Sequence, residues 1–158
     1  MEDKSGKRDR RTPLLVAGIF LGIGLSGFFD GIVLHQILQW HHMLSSIRPP
    51  TTVSNIDINT LWDGLFHAFD WIMTAIGVIL LWRAGRHNDV PWSSNLYFGS
   101  IFIGAGLFNL VEGVIDHHIL GIHHVKPGPH ELIWDLGFLA SGALLVALGW
   151  VMIQRTES

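Results

Sequence analysis

Two stretches of the sequence place an acid and several histidines close together. The first, DGIVLHQILQWHH, runs from Asp30 to His42, and the second, EGVIDHHILGIHH, runs from Glu112 to His124. In both, an acid and a glycine are followed by His, Ile-Leu and His-His at the same positions. Imidazoles and carboxylates bind transition metals and also form proton relays inside membranes. Since the chain has no cysteine, a metal site would consist of His, Asp and Glu alone.

More acids and histidines occur at helical spacing nearby. Asp63, His67 and Asp70 stand at i, i+4 and i+7, which places them on one face of a helix, and Glu112 and Asp116 are four residues apart. Inward-facing carboxylates and histidines on facing helices form metal sites in helical bundles. We therefore predict an inner group of metal ligands. Its members are Asp30, His35, Asp63, His67, Glu112 and His117.

The other candidates have secondary places in this prediction. Asp116 and His118 are further possible ligands. The pairs His41-His42 and His123-His124 are expected to form an entrance or a second, exposed site. The remaining acids and histidine near the same helix ends are expected to orient ligands or relay protons: Asp70, Asp135, Glu131 and His130.

The composition favours a membrane protein. Of 158 residues, 49% are hydrophobic and only 15% are charged. Four segments reach the length of about 20 mostly apolar residues that a spanning helix needs: Leu14 to Leu38, Leu61 to Trp82, Leu96 to Leu120, and Leu132 to Ile153. The first, about 25 residues long, exceeds the apolar region of a signal peptide and contains Asp30 and His35, which favours a retained span. We predict an all-α fold with four transmembrane helices.

The two histidine-rich stretches belong to a longer internal similarity. At an offset of 82 residues, Gly31 and His35 recur as Gly113 and His117, and at an offset of 72, Trp62-Asp63 recurs as Trp134-Asp135. This pattern predicts a four-helix bundle made of a duplicated helical hairpin, a parallel repeat with a pseudo-twofold axis along the membrane normal. Repeat one covers about 13–82 and repeat two about 96–153. Small residues four apart, such as Gly18 and Gly22, are expected at helix contacts.

The distribution of cations predicts the orientation, because Lys and Arg accumulate on the cytoplasmic side. Eight flank one side of the predicted spans and two flank the other: Lys4, Lys7, Arg8, Arg10, Arg11, Arg83, Arg86 and Arg155 against Arg48 and Lys126. We expect residues 1–12 to be a basic cytoplasmic tail, residues 13–156 to be one membrane domain, and the site to face the periplasm or exterior. The tail is read as a topology signal, with no nucleic-acid partner. Asn59 or Thr60 is the expected N-cap of the second helix.

The motifs GFFDGIVLHQILQWHH, DGLFHAFDW and EGVIDHHILGIHH resemble an uncharacterised prokaryotic family of predicted four-helix membrane proteins. The similarity extends over nearly the whole chain, from Pro13 to Ile153. The resemblance implies a bacterial or archaeal integral membrane protein, for which we expect a location in the cytoplasmic membrane. It implies no mechanism.

Three functions remain open from the residues alone. The leading hypothesis is a metalloprotein with a His/carboxylate centre of copper, zinc or iron, mononuclear or dinuclear, that acts in redox chemistry or in copper handling. The second is a proton or metal-ion transporter with the acids as a relay. The third is a haem-binding or accessory subunit of a respiratory complex, although the density of acids disfavours haem. Besides the lipid bilayer, a homo-oligomer or respiratory-complex subunits are the expected partners.

Overall fold

Four long helices account for most of the described chain. The computed structural model describes residues 4–155, and it describes side chains from residue 10 onward, so residues 1–3 and most side chains of the expected basic tail lie outside the described part. The helices are α1 (Lys4–Phe29), α2 (Val53–Gly85), α3 (Ser94–Glu112) and α4 (Glu131–Gln154). The predicted all-helical fold is confirmed.

Each helix is long and apolar enough to cross a membrane. The candidate spans are Arg10–Ile37, Val53–Gly85, Ser94–Ile119 and Glu131–Gln154, with lengths of 24 to 33 residues. A bilayer core requires about 20 residues of helix. The prediction of four spans is therefore confirmed by length and composition.

The helices pack with α1 and α3 in the middle. These two contact each other, α2 packs on α1, and α4 packs on α3. Accordingly 39% and 44% of the apolar windows of the spans that contain α1 and α3 are buried, against 11% and 17% for α2 and α4. The outer two helices thus leave broad apolar surfaces for lipid. The origin of the bundle by duplication of a hairpin stays a prediction.

Glycines allow α1 and α3 to approach closely. Gly22 lies against the backbone carbonyl of Ile101 on α3, and Gly104 lies against the backbone carbonyl of Ile19 on α1. A side chain at either position would separate the two backbones. Close approach through small residues is how membrane helices gain van der Waals contact, because lipid tails are as apolar as Leu.

Both central helices change to a wider helical form where the histidine-rich stretches begin. α1 continues as a π-helix over Asp30–Ile37, and α3 continues as a π-helix over Gly113–Ile119. Each segment closes with an i+5 hydrogen bond, Leu38 N to Val33 O and Leu120 N to Ile115 O, both 2.8 Å long. π-helical turns are rare and occur frequently at functional sites. We did not predict them from the sequence.

The second helix begins earlier than expected. Thr52 is its N-cap and accepts a hydrogen bond from Asn55 N, so the prediction of Asn59 or Thr60 as the cap was wrong. Asn59 instead lies buried inside α2, where its side chain accepts from Leu44 N and donates to the carbonyl of Arg48. Its amide therefore binds the loop between α1 and α2 to the helix.

Replacement of Gly22 by alanine is expected to destabilise the bundle by about 1–3 kcal/mol, since the new Cβ would meet the carbonyl of Ile101 and force backbones apart. Gly64→Ala is the control, because no heavy atom lies near the Cβ that it would add. Thermal unfolding in detergent measures both. Equal melting temperatures for the two variants would contradict the close contact of α1 and α3.

Candidate metal centre

Four histidines and two acids gather at one end of the central helix pair. All are almost completely inaccessible to solvent: His35 (0%), His41 (2%), His117 (3%), His123 (1%), Asp30 (3%) and Glu112 (6%). Asp30 and His35 belong to the first π segment, and His117 to the second, while His41 and His123 come from the loops that follow. We call these six residues the His/carboxylate centre.

The side chains of the centre form two overlapping groups with the spacing of metal ligands. His35, His41 and His123 form one, and Glu112, His117 and His123 form the other; within each, the candidate ligand atoms lie within 4.8 Å of one another. The rings of His41 and His123 stack with centroids 4.8 Å apart and planes 3° from parallel. His123 belongs to both groups and offers one ligand atom, so the two groups adjoin and share this ligand.

The two loop histidines are each fixed by the other loop. His41 Nδ1 donates to the carbonyl of Val125 at 2.8 Å, and His123 Nδ1 donates to the carbonyl of Met43 at 3.1 Å. A carbonyl only accepts, so the hydrogen of each neutral ring is on Nδ1. The lone pair of Nε2 then points into the centre, as it must in a metal ligand.

Asp63 of α2 holds the first half of the centre in place. Its Oδ1 accepts from His35 Nδ1 at 3.0 Å and from Met43 N at 2.9 Å, and its Oδ2 accepts from His42 Nδ1 at 2.7 Å. With these bonds the carboxylate orients His35 and leaves its Nε2 directed inward. Such contacts to the second ring nitrogen are general for metal-binding histidines.

Asp135 of α4 has the matching position in the second half. It accepts from Val125 N at 3.0 Å and from His124 Nδ1 at 2.7 Å, and its Oδ1 lies 3.3 Å from His117 Nδ1. Asp63 and Asp135 are thus placed to orient histidines. The structure brings Asp63 to the rim of the inner group that the sequence predicted.

Inside the centre, acceptors face one another. Glu112 Oε1 lies 2.8 Å from His123 Nε2 and 3.0 Å from His117 Nε2, while Asp30 Oδ2 lies 3.1 Å from His35 Nε2. Among the described residues, Asp30 Oδ2 and the Nε2 atoms of His35, His41 and His117 have no partner with hydrogen-bond geometry. A lone pair opposite a carboxylate oxygen requires a proton or a metal ion between them.

The remaining candidates lie around the centre. His42 and His124 are about one quarter exposed and bind Asp63 and Asp135. The two pairs were expected to form an entrance or an exposed site, and this is wrong for the first histidine of each pair. His41 and His123 are buried inside the centre. Three of the predicted residues are exposed at the surface: His118, His130 and Glu131. Three others lie beside the six residues of the centre: Asp116 lines a groove together with Glu112, and His67 and Asp70 lie against Gly31 and Gly27.

An apolar groove leads to the centre from the side. It encloses about 630 Å³ between α2 and α3, with Trp62, Phe66 and Phe108 among its walls and Glu112 and Asp116 at one end. A molecule dissolved in the apolar part of a bilayer could approach Glu112 along this groove.

Residues 17–156 match the model of a family described as "Predicted membrane protein (DUF2243)". The chain belongs to this family. A search of curated proteins and a search of solved structures found no match to it. The family supports the membrane location and carries no function, so the chemistry of the site rests on its geometry.

Sequence reasoning missed the backbone groups of the centre. Met43 and Val125 each follow a His-His pair, and each supplies an N–H to an aspartate and a carbonyl to the histidine of the other loop. The offset of 82 residues relates the two positions, which was a usable signal. Their side chains are apolar and indicate no chemistry, so a pattern of polar residues could not find them.

The structure also predicts how pH acts on the metal-free protein. Burial, with the nearby His123 and His35, lowers the pKa of His41 from 6.5 to about 2, so the folded state keeps this ring neutral. An unfolded chain takes up a proton below pH 6.5. Stability from this group is therefore fully present above pH 6.5 and is lost as pH falls toward 2, by up to about 1.4 kcal/mol per pH unit.

Chelator-treated protein should show this dependence in denaturant titrations between pH 7 and pH 4. His41→Gln should reduce the slope of the free energy of unfolding against pH by the contribution of one titrating proton. His87→Gln, at an exposed position, is the control. An unchanged slope in His41→Gln would show that His41 is not kept neutral in the fold.

Proposed function

We propose that the protein is an integral membrane metalloprotein that binds two divalent transition-metal ions in the His/carboxylate centre. The observation that carries the proposal is the common direction of the imidazoles. His41 and His123 donate from Nδ1 to backbone carbonyls, His35 donates from Nδ1 to Asp63, and all three present Nε2 to the same interior. Rings fixed in this way are oriented before any metal binds.

The charge of the centre supports two ions. Four buried carboxylates surround the four imidazoles: Asp30, Asp63, Glu112 and Asp135. Ionised carboxylates without compensating charge are costly in an apolar interior. Two divalent cations bring four positive charges, which balances the four acids while the imidazoles stay neutral.

The ligand types indicate which metals fit. Imidazole nitrogens suit zinc, copper, iron and nickel, and carboxylates favour harder ions such as manganese. A set of four imidazoles with two carboxylates therefore fits copper, zinc or iron, among which copper(II) ranks highest in affinity for a given site. Haem requires no such set of acids around its ligands.

The rigidity of the centre favours a resident metal over a transported one. Ligands come from both π segments and both loops, and Asp63 and Asp135 fix the rings from outside. A transported ion needs ligands that exchange readily, whereas buried ligands with anchored rings hold an ion. Together with the groove that ends at Glu112, this favours metal-dependent redox chemistry on a molecule that arrives through the bilayer.

The orientation in the membrane belongs to the same proposal. The cation distribution favours a cytoplasmic location for both termini, and the centre lies at the opposite ends of the spans. The metal would then enter from the periplasm or exterior, next to the two histidine-containing loops.

Elemental analysis of the purified protein by plasma mass spectrometry is expected to find about two metal ions per chain. The double variants His35→Ala/His117→Ala and His41→Ala/His123→Ala should lose most of this metal, because each removes two of the four inward Nε2 atoms. His118→Ala/His130→Ala removes two exposed histidines and should keep the wild-type content. Full retention in either inner double variant, with the protein folded, would refute the metal centre.

Asp63→Asn is expected to weaken metal binding about 10-fold to 100-fold, as loss of an orienting carboxylate typically does. The asparagine side chain has the shape of aspartate but lacks the negative charge that strengthens the hydrogen bond from His35 Nδ1. Asp135→Asn should act similarly on the second half, and Asp57→Asn, an exposed position on the same helix as Asp63, should have no effect. Competition with a chromophoric chelator measures the affinities; wild-type affinity in Asp63→Asn would mean that the carboxylate does not orient a ligand.

A further inference from the structure

Three polar side chains line the face of α2 that packs on α1, below the His/carboxylate centre. They are His67, Asp70 and Thr74, at i, i+3 and i+7, and we call them the polar track. Each lies against a glycine of α1 or of its π segment, in the order Gly31, Gly27 and Gly24. A Cβ at any of these glycines would collide with the imidazole, the carboxyl group or the hydroxyl group that lies there. The helix contact is therefore shaped to hold polar groups.

Asp70 is the most unusual member of the track. It is completely buried, and neither carboxylate oxygen has a hydrogen-bond partner among the described residues; the same holds for the Thr74 hydroxyl. A basic group lies nearby: His67 Nδ1 is 3.8 Å from Asp70 Oδ2. An unpaired ionised carboxylate within a membrane span is costly, whereas the protonated acid is neutral.

The helix pair α3 and α4 shows that such packing does not require the track. At an offset of 72 residues, the positions of His67, Asp70 and Thr74 are taken by Leu139, Gly142 and Val146. Gly142 there packs directly on Gly106. Beside it, Asn109 of α3 donates to the hydroxyl of Ser141 on α4, so the polar groups at this contact are hydrogen-bonded. A central helix thus joins an outer one without an unpaired acid. Asp70 consequently has a role other than packing.

The track adjoins the centre. Gly27, which lies against Asp70, precedes Asp30 by three residues, a rise of about 4.5 Å along the helix. Charges so close together in an apolar interior interact strongly, so the charge of Asp30 and His35 acts on Asp70. The titratable groups that face Asp70 are these two from the π segment and His67 from its own helix.

We propose that Asp70 is the proton-carrying acid of the metal centre. This inference rests on the metal centre proposed above. Asp70 holds a proton on its carboxyl group while the centre is empty. When metal binds and adds positive charge beside Asp30, the proton leaves the Asp70 carboxyl oxygen for Nδ1 of His67. That imidazole is about one quarter exposed at the surface of the bundle, so it is the group through which the proton leaves the buried site, and the reverse transfer restores the acid when the charge is removed.

Proton release during metal loading tests the proposal. Purified protein in weakly buffered detergent solution is titrated with Zn²⁺, while an indicator dye counts protons and elemental analysis counts bound ions. Asp70→Asn is expected to bind the wild-type number of ions and to release one proton fewer per loaded chain. Asp70→Glu, which keeps the acid, should restore the missing proton. Asp57→Asn makes the same chemical change at an exposed position of α2 and should release the wild-type number.

The outcomes separate this inference from the function on which it rests. Equal proton release by wild type and Asp70→Asn, with equal metal content, would overturn the role of Asp70 and leave the metal centre intact. If wild type binds no Zn²⁺, the metal centre fails for this ion. Infrared spectra with carbon-13 carboxyl-labelled aspartate then decide whether Asp70 holds a proton. A protonated-aspartate band that wild type shows and Asp70→Asn lacks supports the proposal. A wild-type spectrum without such a band refutes it.

The infrared measurement also serves if Asp70→Asn does not fold. In labelled wild-type protein, the proposal requires a protonated-aspartate band that disappears on Zn²⁺ loading. A spectrum without such a band, before or after loading, would overturn it.

Discussion

A buried polar group that water does not reach needs a hydrogen-bond partner within the protein. This constraint explains the arrangement of the His/carboxylate centre. His41 reaches the carbonyl of Val125 and His123 reaches the carbonyl of Met43, so each loop satisfies the other. Removal of one partner leaves a buried donor or acceptor unpaired, which costs about 1–3 kcal/mol. The loops are consequently held as one unit, although they are far apart in sequence.

The helices give this unit a rigid base. Gly22 and Gly104 bring the backbones of α1 and α3 into contact, and the two helices then change to π-helical turns directly below the loops. A π turn contains more residues than an α turn, so it alters the direction in which the following side chains point. His35 and His117 lie in these segments and point at Asp63 and Asp135 on the outer helices. Rigid helices thus set the positions of the carboxylates, and the π turns direct the histidines between them.

The two helix pairs differ in what they place beside the centre. Between α1 and α2 lies the polar track with Asp70, while between α3 and α4 glycine and aliphatic residues make the equivalent contact. Near the middle of the bundle, Asn109 donates to the hydroxyl of Ser141 and accepts from the hydroxyl of Ser26, which satisfies its amide. The side-chain amide of Asn109 is hydrogen-bonded, whereas the carboxylate oxygens of Asp70 have no hydrogen-bond partner among the described residues. A centre with matched ligands on both sides therefore has a distinct environment on the α1–α2 side.

The sequence by itself determined that the protein belongs in a membrane and which side-chain types its site contains. Four apolar segments of spanning length and two histidine-rich stretches predicted four helices and a cluster of imidazoles and carboxylates, because these depend on composition and local spacing. Only the tertiary structure decided the place of each side chain. His41 and His42 are neighbours in sequence, yet one is buried in the centre and the other binds Asp63 at its rim. The loop that carries them is irregular, so no period of 3.6 residues predicts their directions; hydrogen bonds to groups distant in the chain decide them.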